Sequence, residues 1–162
     1  MKRCSGGFTY IWLLLAVAAL GIGLARIGVI ESREQQRDRE QRLLIIGNEF
    51  RQAIGSYYNG GPPGFPKTYP RSLEDLVDDR RFDQPRRHLR KVYFDPMTGK
   101  PDWGVVNIGG GIAGVHSRVQ EKPVQRANFF PVNAHFAAAR TYTEWVFSFP
   151  HDLSLTSQPT PP

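Results

Sequence analysis

The chain has 162 residues, one cysteine, and 21 Lys and Arg against 15 Asp and Glu, for a formal net charge of +6. With an apolar start and a Pro-rich end set aside, about 120 residues remain, enough for one small domain with a core and too few for two. Cys4 precedes the apolar run, so the body can hold neither a disulfide nor a thiolate metal site, and a lipidated cysteine, which follows such a run, is excluded.

Residues 1–7, Met-Lys-Arg-Cys-Ser-Gly-Gly, form a short basic leader. From Tyr10 to Ala25 there is no charge, and from 8 to 30 the only one is Arg26. At about 1.5 Å per residue a helix of that length covers roughly 30–35 Å, the thickness of a bilayer core. The segment reads as a secretory signal peptide with small residues at 23–25, as an uncleaved signal anchor, or as a helix whose leader is cut before it. The apolar run continues past 25 to Ile30, which disfavours the first. Counting Lys and Arg on the flanks mildly favours the head staying inside. A large domain translocates largely regardless of charge, so the leader end is expected in the cytoplasm and the head outside.

Residues 32–42 are almost all Arg, Glu, Gln and Asp, good helix formers with acid–base pairs at helical spacing. Leu43 to Ile46, Phe50, Ile54, Tyr57 and Tyr58 then recur on one face. One long helix over about 8–58 is the simplest account, with Gly47 and Gly55 as the weak points. Asn59-Gly-Gly-Pro-Pro-Gly-Phe-Pro66 ends it.

Ser72-Leu-Glu-Asp75 is a capping-box variant and predicts a short helix to about Arg80, with Leu73, Leu76 and Val77 inward. Residues 86–93 suit helix or strand. They include 86–91, Arg-Arg-His-Leu-Arg-Lys, the only local basic run. Elsewhere arginines mix with acids and form no one-sign stripe; this run reads as solvated surface, with a patch for an anionic partner as the alternative, and nucleic acid is not an expected partner. Asp95-Pro-Met-Thr-Gly99 predicts a turn. Residues 103–108 predict a strand, Gly109 to Gly111 a reversal, and 112–117 its return. Residues 132–140 suggest a short helix or an extended arm. Tyr142 to Phe149 alternates and predicts a third strand. The tail 151–162 predicts disorder.

The residues Gly7-Phe8-Thr9 with the apolar run, Tyr69-Pro-Arg-Ser-Leu-Glu-Asp-Leu76, Arg87-His-Leu-Arg90, Tyr93-Phe-Asp-Pro-Met-Thr-Gly99, Trp103, Ile112-Ala-Gly-Val-His-Ser117 and Trp145-Val-Phe147 together resemble the type IV pilin-like superfamily. Within it they resemble the G-type pseudopilins of type II secretion. The resemblance implies an α+β fold: a long N-terminal helix, membrane-embedded in its first half, packed on a small antiparallel sheet. It divides the chain into a leader (1–7), a transmembrane helix (8–30), a periplasmic continuation (31–58), a globular head (59–150) and the tail. It implies cleavage between Gly7 and Phe8 by prepilin peptidase, methylation of the new Phe8 amine, and residence in the bacterial inner membrane with the head in the periplasm. Assembly follows, with other pseudopilins and an inner-membrane platform as partners. A membrane-anchored accessory or binding domain that never polymerises is the alternative. One departure stands out. The family carries a Glu at the fifth mature position, which pairs with a neighbour's amino terminus; here that position is Trp12.

Sites of other chemistry are sparse. No two of His88, His116, His135 and His151 lie at metal-binding helical spacing, and no catalytic constellation is legible, so a non-enzyme is expected. Asp95, Asp102 and the 107–111 loop resemble the calcium region of the major pseudopilins, but the oxygen ligands are few and no cofactor is expected. Gly109 to Gly114 lacks the Lys-Ser/Thr of a phosphate loop and reads as a hairpin turn. Phe129, Phe130, Tyr57 and Tyr58 read as core, with subunit contact as the alternative.

Overall fold

The computed structural model describes residues 6–151, with side chains for 10–18 and 33–151. Helix α1 runs Gly6–Asn59 and continues through both Gly47 and Gly55. The chain divides into two compact units, 1–38 and 39–162. In the first, residues 10–18 are helical and all exposed, and 33–38 form a polar stretch of helix in which only Gln36 is half-buried. Among the described residues no helix is long and apolar enough to cross a membrane. The expected span at 8–30 includes 8, 9 and 19–30, whose side chains lie outside the described residues.

The second unit is an α+β head. Positions 40, 43, 47, 50, 54 and 57 of α1 are all buried, a stripe alternating by three and four along one helical face. Strands β1 (Gly104–Ile108), β2 (Gly111–His116) and β3 (Phe147–Ser148) form an antiparallel sheet in the order β1-β2-β3. Gly109 and Gly110, with φ of 58° and 81°, make the two-residue turn between β1 and β2. Positive φ at both positions is what a right-twisted hairpin needs, and glycine supplies it without strain. The register slips between Val106 and Asn107 and leaves Ala113 without a β1 partner. The Ala113 carbonyl accepts the Phe149 N–H at 2.9 Å.

Aromatic side chains fill the space between α1 and the sheet. Phe50 meets Trp103 edge-on at 5.1 Å, Phe136 stacks on Trp145 at 5.4 Å, and Phe136 meets Phe147 at 5.1 Å. Gly47 and Gly55 make this approach possible. A Cβ on Gly47 would lie 2.4 Å from the Phe147 ring, and one on Gly55 would lie 2.8 Å from the Phe149 ring. The glycines that weaken the expectation of a continuous helix are its contact points with β3 (Gly47) and with Phe149 just after it (Gly55).

Several expected elements are shorter or different. The Ser72 capping box forms: Asp75 Oδ2 accepts the Ser72 N–H at 3.0 Å, and Ser72 Oγ accepts the Asp75 N–H at 3.3 Å. The helix it starts is only a 3₁₀ turn, Glu74–Leu76, because the Leu76 carbonyl is taken by the N–H groups of His88 and Leu89. Of the three residues expected inward, Leu76 is buried and Leu73 and Val77 are half-buried. Residues 86–93 form neither helix nor strand beyond one bridge, Asp79 to Arg86. Residues Pro131–Ala138 form a 3₁₀ helix. The strand expected over 142–149 is a correction: Tyr142–Glu144 is 3₁₀ and only Phe147–Ser148 pairs. The Glu144 side chain accepts the Arg140 N–H at 2.8 Å, a local cap that competes with extension. The tail beyond His151 lies outside the described residues.

Candidate functional site

The residues expected to carry function lie at the start of α1. Gly7 and Phe8 are in its first turn. There the N–H groups have no partner one turn back, and each glycine costs a helix about 1 kcal/mol relative to alanine. The turn at the expected cleavage point is therefore weakly held. No acid lies in it. Trp12 is 62% exposed, and Tyr10, Ile11, Leu13, Leu14, Leu15 and Val17 are each at least half exposed. This helical surface is apolar all round, which water does not tolerate without a covering.

Three buried polar networks hold the rest of α1 in the head. Glu40 is fully buried. Its carboxylate accepts the N–H groups of Val124 and Gln125 and the Tyr142 hydroxyl, the last at 2.7 Å. Arg51, one turn beyond Gly47, donates to Asn48 Oδ1 at 2.8 Å, Asn133 Oδ1 at 2.7 Å and the Ser148 carbonyl at 3.2 Å. Burial pulls its guanidinium down to about 10. Burial also lowers His135, helped by the charges of Arg51 and His151.

The third network closes the C-terminal end of α1. Arg81 grips Asp79 through Nε and Nη2, stacks 3.5 Å over the Tyr57 ring and donates to the Tyr57 carbonyl at 2.7 Å. That carbonyl is one of those a helix end leaves unpaired. His88 lies between Ser56 Oγ, 2.8 Å from Nδ1, and Asp79 Oδ2, 3.1 Å from Nε2. Burial alone raises the Asp79 carboxyl, but the hydrogen bonds from Arg81 and His88 outweigh it and bring the group to about 2.

Sequence reasoning missed this hydroxyl–imidazole–carboxylate chain. Residues 56, 79 and 88 have no spacing that announces it. Ser56 does not line the adjoining cleft of about 590 Å³, which is bounded by Tyr58, Tyr69, Arg71 and Arg80 among others. The Asp79 carboxylate is also already committed to Arg81. What the arrangement does is tie the last turn of α1 to the 79–88 loop.

The calcium-region residues are engaged elsewhere. Asp95 accepts Ser117 Oγ at 2.6 Å and the Met97 N–H at 2.9 Å, within the expected turn. Asp102 pairs with Arg118 at 3.3 Å. Among the described residues no three His, Cys, Asp or Glu side chains are grouped to hold a metal. Phe130, read as core, is instead 77% exposed, whereas Phe129 packs edge-on against Phe136 and Trp145. No family model, curated protein or solved structure matches the chain.

Proposed function

We propose that the chain is a pseudopilin-like structural subunit of a type II secretion or type IV pilus-like system. In this reading prepilin peptidase cuts it before Phe8. The protein waits in the bacterial inner membrane with its head in the periplasm, and then joins a fibre through its N-terminal helix beside other pseudopilins and an assembly platform. The observation that carries this reading is the division of labour along α1: an apolar, exposed surface at residues 10–18 and a buried stripe from Glu40 to Tyr57 in an α+β head. An apolar helix can exchange lipid for neighbouring helices at little net cost, because both solvents are apolar. Trp12 favours a second reading, an anchored accessory that does not polymerise. A carboxylate in the membrane costs several kcal/mol unless it is paired, and Trp12 removes both that cost and the pairing.

The test is intact-mass analysis after co-expression with prepilin peptidase. A mature chain beginning at Phe8 is expected. A chain beginning at Met1, or at Arg26, overturns the reading in favour of an uncleaved anchor or a signal peptide.

A further inference from the structure

The charge of this chain is concentrated in one place on the head. Without Lys2 and Arg3 of the leader the formal net charge falls from +6 to +4. Arg86, Arg87, Arg90 and Lys91 carry four positive charges with no acid among residues 84–94, so the rest of the chain after the leader sums to zero. The structure turns all four outward. His88 and Leu89, which lie between the two pairs, turn their side chains into the head, and both of their N–H groups bond to the Leu76 carbonyl. Arg86 exchanges backbone hydrogen bonds with Asp79 at 2.9 and 3.2 Å. The loop is thus pinned from inside and presents its cations to solvent.

None of the four takes part in an ion pair among the described residues; those pairs are made by Arg80, Arg81, His88 and Arg118. Arg86 lies 4.1 Å over the Phe82 ring and Lys91 5.5 Å over the Tyr93 ring. An aromatic face orients a cation without cancelling its charge. Four like charges in so short a loop repel one another, and an anion relieves that repulsion without first having to order the backbone. Phe94, three residues on, is 61% exposed. Arginines beside an exposed aromatic side chain are the composition from which protein interfaces draw their strongest contacts. The run also has a definite place on the head. His88 meets Ser56 in the last turn of α1, about 24 Å along the helix from Glu40. Under the proposed anchoring the chain comes to the head from the bilayer at the other end of this stretch; the choice of a protein over a lipid surface rests on that reading.

We propose that the 86–94 segment docks an acidic face of a partner protein. Carboxylates of that face pair with Arg86, Arg87, Arg90 and Lys91, and an apolar side chain beside them covers Phe94. The planar guanidinium fork can accept each carboxylate through two parallel hydrogen bonds, so the contact has direction as well as charge.

The experiment uses the full-length chain in phosphatidylcholine nanodiscs. Two rhodamine-labelled peptides of equal length are titrated by fluorescence polarisation, one repeating glutamate-glutamate-leucine, the other glutamine-glutamine-leucine. The acidic peptide should bind saturably and about tenfold more tightly than its neutral twin. Raising the salt from about 50 to about 300 mM should remove most of that difference. Arg87→Glu with Arg90→Glu should abolish the preference for the acidic peptide. Arg126→Glu with Arg140→Glu makes the same change in net charge at exposed positions outside the run, and should leave the affinity within about twofold. Phe94→Ala should weaken binding about threefold or more. All five positions are exposed, so the variants should melt with the parent. Equal affinity for the two peptides, equal losses from the two double reversals, or indifference to Phe94→Ala overturns the proposal. So does displacement of the peptide by phosphatidylglycerol vesicles or a DNA duplex at a lower concentration of negative charge than unlabelled acidic peptide requires, which would assign the run to a phosphate surface. None of these outcomes bears on where the mature chain begins, so this proposal and the proposed anchoring fail separately.

Discussion

Glu40 and Asp79 are buried carboxylates that are stabilising because each is saturated with donors. An isolated buried carboxylate is costly, and one accepting several hydrogen bonds, some from charged groups, is not. Glu40 joins α1 to the 124–125 loop and to Tyr142. Glu40→Gln keeps one acceptor oxygen and loses the charge, so about 2 kcal/mol of stability should be lost. A double-mutant cycle with Tyr142→Phe, followed by denaturant unfolding, should show coupling of about 1 kcal/mol or more. Additive losses would mean the two groups do not share the bond.

Asp79 titrates natively near 2, below its unfolded value of about 3.9. Its contribution is therefore complete above the unfolded value and is lost as pH falls from about 4 to 2, worth roughly 2.5 kcal/mol. His135 has the opposite charge type and a lowered native value. Its contribution is complete above the ordinary imidazole value of about 6.5 and declines below it. Stability measured against pH should thus fall in two stages, and Asp79→Asn should abolish the lower one while leaving the upper.

At the level of elements, glycines at different places do opposite work. Gly110 has positive φ, so Gly110→Ala strains the turn and should cost about 1 kcal/mol. Gly47 is helical, and alanine there would gain about 1 kcal/mol of propensity. The added Cβ would, however, meet the buried Phe147 ring, and overpacking costs about 1–3 kcal/mol. Gly47→Ala is expected to destabilise on balance. A raised melting temperature for that variant would mean that β3 can withdraw from the helix freely. The truncated third strand fits this picture: β3 contributes two paired residues to the sheet and the Phe147 ring to the helix.

At the level of the molecule, Glu40, Arg51 and Arg81 tie α1 to the head within the unit that starts at residue 39. Removal of residues 1–32 keeps every one of those ties. The shortened protein should unfold cooperatively, with a melting temperature within a few degrees of the parent, as read by circular dichroism. The apolar surface at 10–18 is exposed, and under the proposed function lipid or neighbouring helices cover it. Under the proposed function, Trp12→Glu restores the family's acid and should increase cross-linked multimers when the chain is expressed with a pilus-like assembly system. Unchanged multimers would favour the non-polymerising accessory.

Local rules were enough to read much of this chain from its residues. Helical periodicity marks the stripe at 43, 50, 54 and 57; Ser72 with Asp75 marks the cap; Asp95 to Gly99 and the paired glycines at 109 and 110 mark turns. Each of these depends on neighbours within a few positions. The same stripe, extended one turn back, points to position 40 as buried, a signal masked by the charged residues around it. The short helix after Ser72 stops because the N–H groups of His88 and Leu89 take the Leu76 carbonyl, and the strand from Tyr142 gives way to the Glu144 cap on the Arg140 N–H. The Ser56–His88–Asp79 chain and the uncompensated Arg51, whose Nη2 is buried with no acceptor among the described residues, bring together residues as far as 97 positions apart. Only tertiary packing decides which of those polar groups lose water, and so which of them acquire partners, shifted acidity or an unfilled bond.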